Sequence, residues 1–228
     1  MSLVPSVTET LLAWGIRPVA CTRFCEQPAL ATVGGTKNPD LDAIIRLAPD
    51  LVVMDEEENR REDYEALRAR GLDVLAVAVR GLADVDPAMT RLAERTGADW
   101  VPLGIAGTPT PAGTLAFVPI WRRPYMALGA PTYGTSVLAH VSVGNVAAGL
   151  GSYPTVTLEQ MRAAGARVVL APSEPYSWRE NHLSELRVVG PVVAVDGKDL
   201  FWWGARTPGA LERLGTALSP ERLAGAAG

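Results

Sequence analysis

Between Val33 and Val79 the alternation of apolar and polar positions predicts four elements in a row. Leu41, Ile44, Ile45 and Ala48 recur at helical spacing and define one buried helical face. Asn38 is positioned to cap that helix with Pro39 as its first residue, and Pro49 stops it. The continuous apolar run Leu51 to Met54 predicts a strand buried on both faces, as in parallel sheets. A second helix follows over Glu58 to Arg70, closed by Gly71, and the chain returns to a strand at Val74 to Val79.

The same pattern recurs 117 residues later: Leu41 meets Leu158, Ile44 meets Met161, and the strand LVVM meets VVLA at Val168 to Ala171. One further residue of offset brings Leu75 to Val77 onto Val193 to Val195. A shared order at near-constant offset predicts two similarly built α/β lobes. Expected limits are 2–79 for the first lobe, 80–113 for a bridging helix and linker, 114–218 for the second lobe and 219–228 for a frayed tail.

The remaining elements fill this frame. Ser6 and Glu9 match a capping box for a helix running to Trp14, and Pro18 to Cys21 reads as a strand followed by a loop over Thr22 to Thr32. Asp86 and Pro87 open the bridging helix, which Gly97 ends, before a proline- and glycine-rich stretch from Pro102 to Gly113. Thr114 to Ile120 is a strand echoing the N-terminus, Thr135 to Val143 a helix ended by Gly144, and Thr157 with Gln160 a second capping box. Thr207 and Pro208 start a closing helix along Leu211, Leu214 and Leu218.

Composition narrows the function classes. The 228 residues, 48% hydrophobic with a net charge of −4, contain no basic run to meet nucleic-acid phosphates. The apolar runs are too short for a transmembrane helix. Met1 and Ser2 lead directly into a strand end without a signal segment, so an extracytoplasmic location requires a signal beyond this sequence and a cytoplasmic one does not. Cys21 and Cys25 are too few for structural zinc and read as free thiols; the two histidines are too few for an imidazole metal site, and His140 reads as packed into the core. A monomer is expected.

Candidate chemistry collects on loops at the carboxyl ends of strands, where open α/β folds bind ligands. Asp55 to Asp63, DEEENRRED, reads as a solvated helix start with Glu56–Arg60 or Glu57–Arg61 pairs, ahead of a carboxylate cage for a hard cation. Trp121 to Gly134, WRRPYMALGAPTYG, places two arginines and aromatic rings where they can grip a planar or anionic ligand. SEPYSWREN replaces the acidic run in the second copy, and Asp199 to Arg206 holds Phe201, Trp202 and Trp203, of which at most one tryptophan is expected in the core. Ser6 lacks the flanking glycines of a nucleophile elbow. The glycines at 144, 149 and 151 do not form a dinucleotide fingerprint.

SLVPSVTETLLAWG, VGGTKNPDLDAIIRLAPDLVVMDEEEN and YPTVTLEQMRAAGARVVLA resemble the substrate-binding proteins of ABC importers for cobalamin and ferric siderophores. This is the helical-backbone metal receptor group, and the likeness is greatest to its cobalamin-binding branch. The resemblance implies an α/β fold of two Rossmann-like lobes bridged by a single helix, a chelate held in the cleft, no catalysis and no resident cofactor. It implies docking on an ABC permease through one glutamate per lobe, which the repeat assigns to Glu62 and Glu180. The strand-end rule nominates Pro5, Phe24 and Cys25 from the first lobe and Trp121, Arg122, Tyr125, Tyr176 and Trp202 from the second as ligand-binding residues. The expected function is a receptor for a corrinoid such as cobalamin. The alternatives are a ferric-siderophore or heme receptor and a cytosolic chelate-binding protein of the same fold. A two-lobed transferase is the weaker reading, because neither a nucleotide-phosphate loop nor a general base is found. The histidines of zinc and manganese relatives are absent, which disfavours a bare metal ion.

Overall fold

The computed structural model describes residues 1–105 and 113–225. Most of the expected linker after Ile105 and the last three residues of the expected tail lie outside the described residues. In chain order the elements are α1 (Pro5–Ala13), β1 (Ala20–Cys21), β2 (Ala31–Thr32), β3 (Gly34–Gly35), β4 (Asn38–Pro39), α2 (Leu41–Leu47), β5 (Val52–Asp55), α3 (Arg61–Ala69), β6 (Val74–Val77) and α4 (Val85–Thr96). They continue with β7 (Thr114–Phe117), β8 (Pro119–Trp121), β9 (Tyr125–Ala127), α5 (Tyr133–His140), β10 (Val143–Asn145), β11 (Thr155–Val156), α6 (Leu158–Ala163), β12 (Val168–Pro172) and α7 (Glu180–Leu186). The chain closes with β13 (Val192–Val195), α8 (Gly197–Phe201), α9 (Thr207–Ala217) and α10 (Pro220–Gly225).

The chain divides into two compact α/β units, the two Rossmann-like lobes expected. The first comprises Met1–Val79, Asp84–Gly104 and Trp203–Ala205; the second holds Arg80–Ala83, the described residues between Ile105 and Trp202, and those from Arg206 onward. The single helix expected on the connection is α4. Its apolar face, Val85, Ala88, Met89 and Leu92, is buried, and the helix is counted with the first unit.

In the first unit β5 and β6 pair in parallel, Val52 opposite Val74. The N-terminal segment hydrogen-bonds to β5 through Leu3 N to Val53 O (2.9 Å) and to β1 through Ser2 N to Ala20 O (3.3 Å). The core packs Leu3, Ala20, Val33, Ile44, Val52, Met54, Leu67 and Val74. In the second unit the parallel order is β10-β7-β12-β13, with Val169 opposite Val192, and an antiparallel sheet β11-β9-β8 stands beside it. Phe117, Met161, Val169 and Leu186 centre the second core. Each large apolar side chain fully buried there contributes about 1.5–3 kcal/mol. The repeat survives into this topology: β5 and β12 begin the paired segments 117 residues apart, and the helix caps Asp40 and Thr157 keep the same offset.

Several local expectations are corrected. Asn38 and Pro39 form β4, hairpinned onto β3, so the cap of α2 is Asp40, which accepts from Ala43 N at 2.9 Å. Only Ile44 of the expected α2 face is fully buried; Ala48 adopts a left-handed conformation (φ 41°) and ends the helix before Pro49. Ser6 lies inside α1, which starts at Pro5, and its side chain makes no cap. The expected helix to Val143 stops at His140, because Val143–Asn145 is recruited as β10 against β7. Within the expected tail, Pro220–Gly225 form α10 with Leu223 buried. The Thr157–Gln160 capping box and the ends at Gly71 and Gly97 (φ 83° and 70°) are as expected. No helix among the described residues is long and apolar enough to cross a membrane.

Candidate ligand-binding site

In the second unit the loop after β8 and the segment between β12 and α7 meet in an aromatic cluster. Trp121, half exposed, stands edge-on to Tyr176 with centroids 5.4 Å apart; Tyr176 in turn packs at 4.6 Å from Trp178 and 5.6 Å from His182. Such tilted and edge-to-face arrangements are the favoured geometries for aromatic pairs. His182 Nδ1 accepts from Arg179 N at 3.3 Å, which occupies that ring nitrogen at the start of α7.

Arg122 is paired within its own unit. Its Nε donates to Glu185 Oε2 at 3.0 Å, its second guanidinium nitrogen donates to Oε1, and Tyr125 Oη donates to the same carboxylate at 2.8 Å. These donors hold the Glu185 carboxyl well below the usual range, at about 2. The bidentate pair ties the Trp121 loop to α7, the helix that also carries His182, and so fixes the aromatic cluster from beneath.

The carboxyl ends of β12 and β13 are filled. Trp202 is buried, its Nε1 donates to Glu174 Oε1 at 2.7 Å, and Lys198 and Arg206 lie over its ring at 4.7 and 5.6 Å. Trp203 is buried as well, which overturns the expectation that one of the two faces a cleft or water. α8 ends at Phe201, and the extended Trp202 can then bury its ring with the indole N–H satisfied.

In the first unit Pro5 is buried at the start of α1, and Phe24 is half exposed with the Arg23 guanidinium 4.7 Å from its centroid. Cys25 is buried beside Cys21; its Sγ accepts from Thr8 Oγ1 at 3.2 Å. Burial and the neighbouring Cys25 push the Cys21 thiol up to about 12. Both thiols are free and buried. The structure therefore brings Trp121 and Tyr176 together, leaves Phe24 displayed in its own unit, and turns Cys25, Arg122, Tyr125 and Trp202 to internal duties. Glu62 and Glu180 are each exposed in the first turn of α3 and α7, the equivalent helices of the two units; Glu180 also pairs with Arg187 at 2.8 Å.

One feature escaped the sequence reading. A cavity of about 500 Å³ opens at the carboxyl end of β5, lined by Met54, Asp55, Asn59, Arg61 and Tyr64 among others. α3 starts at Arg61, later than expected, so Glu56 and Glu57 precede it; Arg60 pairs with Asp63 (3.3 Å) and Arg61 with Glu65 (2.8 Å). Burial pushes the Asp55 carboxyl up to about 6. The signal available was its place as the last residue of an apolar strand. Among the described residues no cluster of His, Cys, Asp and Glu could hold a metal ion.

Residues 1–99 match the family model described as periplasmic binding protein. The periplasmic vitamin B12 binding protein BtuF of Vibrio cholerae superposes with a TM-score of 0.75 at 18% identity, covering 99% of this chain and 96% of that one. The periplasmic heme-binding protein RhuT from Roseiflexus sp. RS-1 gives 0.75 at 20%, covering 100% and 98%. A periplasmic heme-binding protein from Pseudomonas aeruginosa gives 0.76 at 18%, covering 96% and 91%. The fold is that of the periplasmic binding proteins. No curated protein matches the sequence. The family model and these structures are described as those of binding proteins, and the superpositions cover 96–100% of this chain.

Proposed function

We propose that the chain is the receptor of an ABC importer for a corrinoid such as cobalamin, working outside the cytoplasm and handing its ligand to a permease. The aromatic platform of Trp121 and Tyr176, backed by Trp178, carries this reading. Rings held rigidly by packing and by the Arg122–Glu185 pair lose little freedom on binding a large rigid macrocycle, and each buried ring contributes about 1.5–3 kcal/mol. An anionic siderophore would draw on Arg122, whose guanidinium is already committed to Glu185.

Heme is the second reading, favoured by the heme-binding proteins among the similar folds. Calorimetric titration with cobinamide, cobalamin, hemin and a ferric carboxylate siderophore separates them. The corrinoid reading predicts micromolar or tighter binding of the first two, weakened at least tenfold by Trp121→Ala. Binding of hemin alone replaces it with the heme reading; siderophore binding abolished by Arg122→Ala replaces it with the siderophore reading. For the permease, charge reversal at Glu62 and Glu180 together is expected to abolish transport with ligand affinity unchanged, and lost affinity would place them in the ligand site instead.

A further inference from the structure

The turn that joins β8 to β9 carries two arginines with opposite fates. Arg122 is spent on Glu185, whose carboxylate also receives Tyr125 Oη, so both of its oxygens are taken. Arg123 comes next, exposed, and its guanidinium makes no hydrogen bond or ion pair among the described residues. It stands within electrostatic reach of Glu185 and adds to the hold on that carboxylate, yet finds no oxygen left to bond. Its backbone is left-handed, with φ 64°, a conformation that crowds the Cβ of an L-residue. Strain of this kind collects at ligand sites, where the side chain it aims is put to use. The same turn starts from Trp121, two residues before Arg123, whose ring meets Tyr176. After Trp178 comes Arg179, also exposed and without an ion pair among the described residues, while its neighbour Glu180 is held by Arg187. All of these residues belong to the second unit.

We propose that the ligand of the aromatic platform carries an oxyanion and that Arg123 binds it. This rests on the chain being a chelate receptor and names what the chelate bears. A guanidinium with its N–H donors uncommitted matches two oxygens of a carboxylate or a phosphodiester in a bidentate pair. In cobalamin that group is the phosphodiester joining the ring to its nucleotide base; cobinamide has the same ring and lacks it. Heme offers propionates in its place. Because Arg123 is exposed, its pair with the anion is open to screening by salt.

The test measures the affinities of the full chain, of Arg123→Asn and of Arg123→Gln for cobalamin, cobinamide and hemin. Asparagine tolerates the left-handed backbone, so that variant removes the charge and keeps the turn; the glutamine variant gives a second reading if the first does not fold. Expected is cobalamin bound at least tenfold more tightly than cobinamide, a preference that shrinks with added salt and is lost in both variants, with cobinamide binding changed less than twofold. Equal affinities for the two corrinoids in the unaltered chain, or an equal loss for both in the variants, overturns this inference and leaves the corrinoid reading standing. Hemin bound in place of the corrinoids and weakened at least tenfold by the substitutions supports the oxyanion site and overturns the corrinoid reading. Hemin bound in their place and unaffected by the substitutions, or binding of none of the three, overturns both.

Discussion

β5 in the first unit and β12 in the second are the same strand of a repeated design, yet their carboxyl ends have opposite character. β5 ends on Asp55, a buried carboxylate at the base of a cavity. β12 ends 117 residues on at Pro172, and the space beyond it is taken up by Glu174, Trp202 and the Tyr176–Trp178 rings. The backbone and the core below are shared, whereas the strand ends are not. The difference shows which positions the fold constrains and which are released for ligand chemistry.

The comparison can be broken at its common base first. Ile44 and Met161 occupy matching helix positions and are fully buried, so Ile44→Ala and Met161→Ala should each cost about 2–5 kcal/mol in chemical denaturation. A cost below about 1 kcal/mol at either site would mean that the two cores are not equivalent.

The two units should then respond to pH with opposite sign, at Asp55 on the end of β5 and at Glu185 on α7. Asp55, raised from an ordinary value near 4 to about 6, binds its proton more tightly in the folded state. Its contribution to stability is present below about pH 4 and is lost as pH rises through 6, a change of roughly 3 kcal/mol by the size of the shift. Asp55→Asn should therefore raise stability at pH 7 and flatten the pH 4–6 region, and a variant less stable at pH 7 would contradict the assignment. Glu185, lowered to about 2, stabilises above its ordinary range near 4.5 and loses that contribution as pH falls through 2. Glu185→Gln should weaken the molecule at pH 7 while blunting its acid sensitivity, read as the midpoint of acid unfolding. The smallest effect is at the caps: Asp40→Ala and Thr157→Ala should each cost about 1 kcal/mol, and equal losses would confirm that the two helix starts are built alike.

Legibility followed the same division. The repeat, the parallel strands and the Thr157 cap were readable because apolar periodicity and capping are local and are imposed by burial. Asn38 misled because a capping residue before a proline is equally suited to a hairpin, and only the pairing of Gly34 with Pro39 decides. Arg122 looked like a ligand grip because its partner Glu185 lies 63 residues away. The adjacent tryptophans were expected to point apart, but a helix end at Phe201 allows both to bury. Asp55 heads a charged run, and only its place directly after the apolar stretch Leu51 to Met54 separates it from the solvated acids that follow.

Hydrogen exchange with and without saturating cobinamide tests the central claim most directly. The account predicts ligand-dependent protection in segments 121–125 and 174–183. Protection confined to other segments, with these two unchanged at saturation, would contradict it.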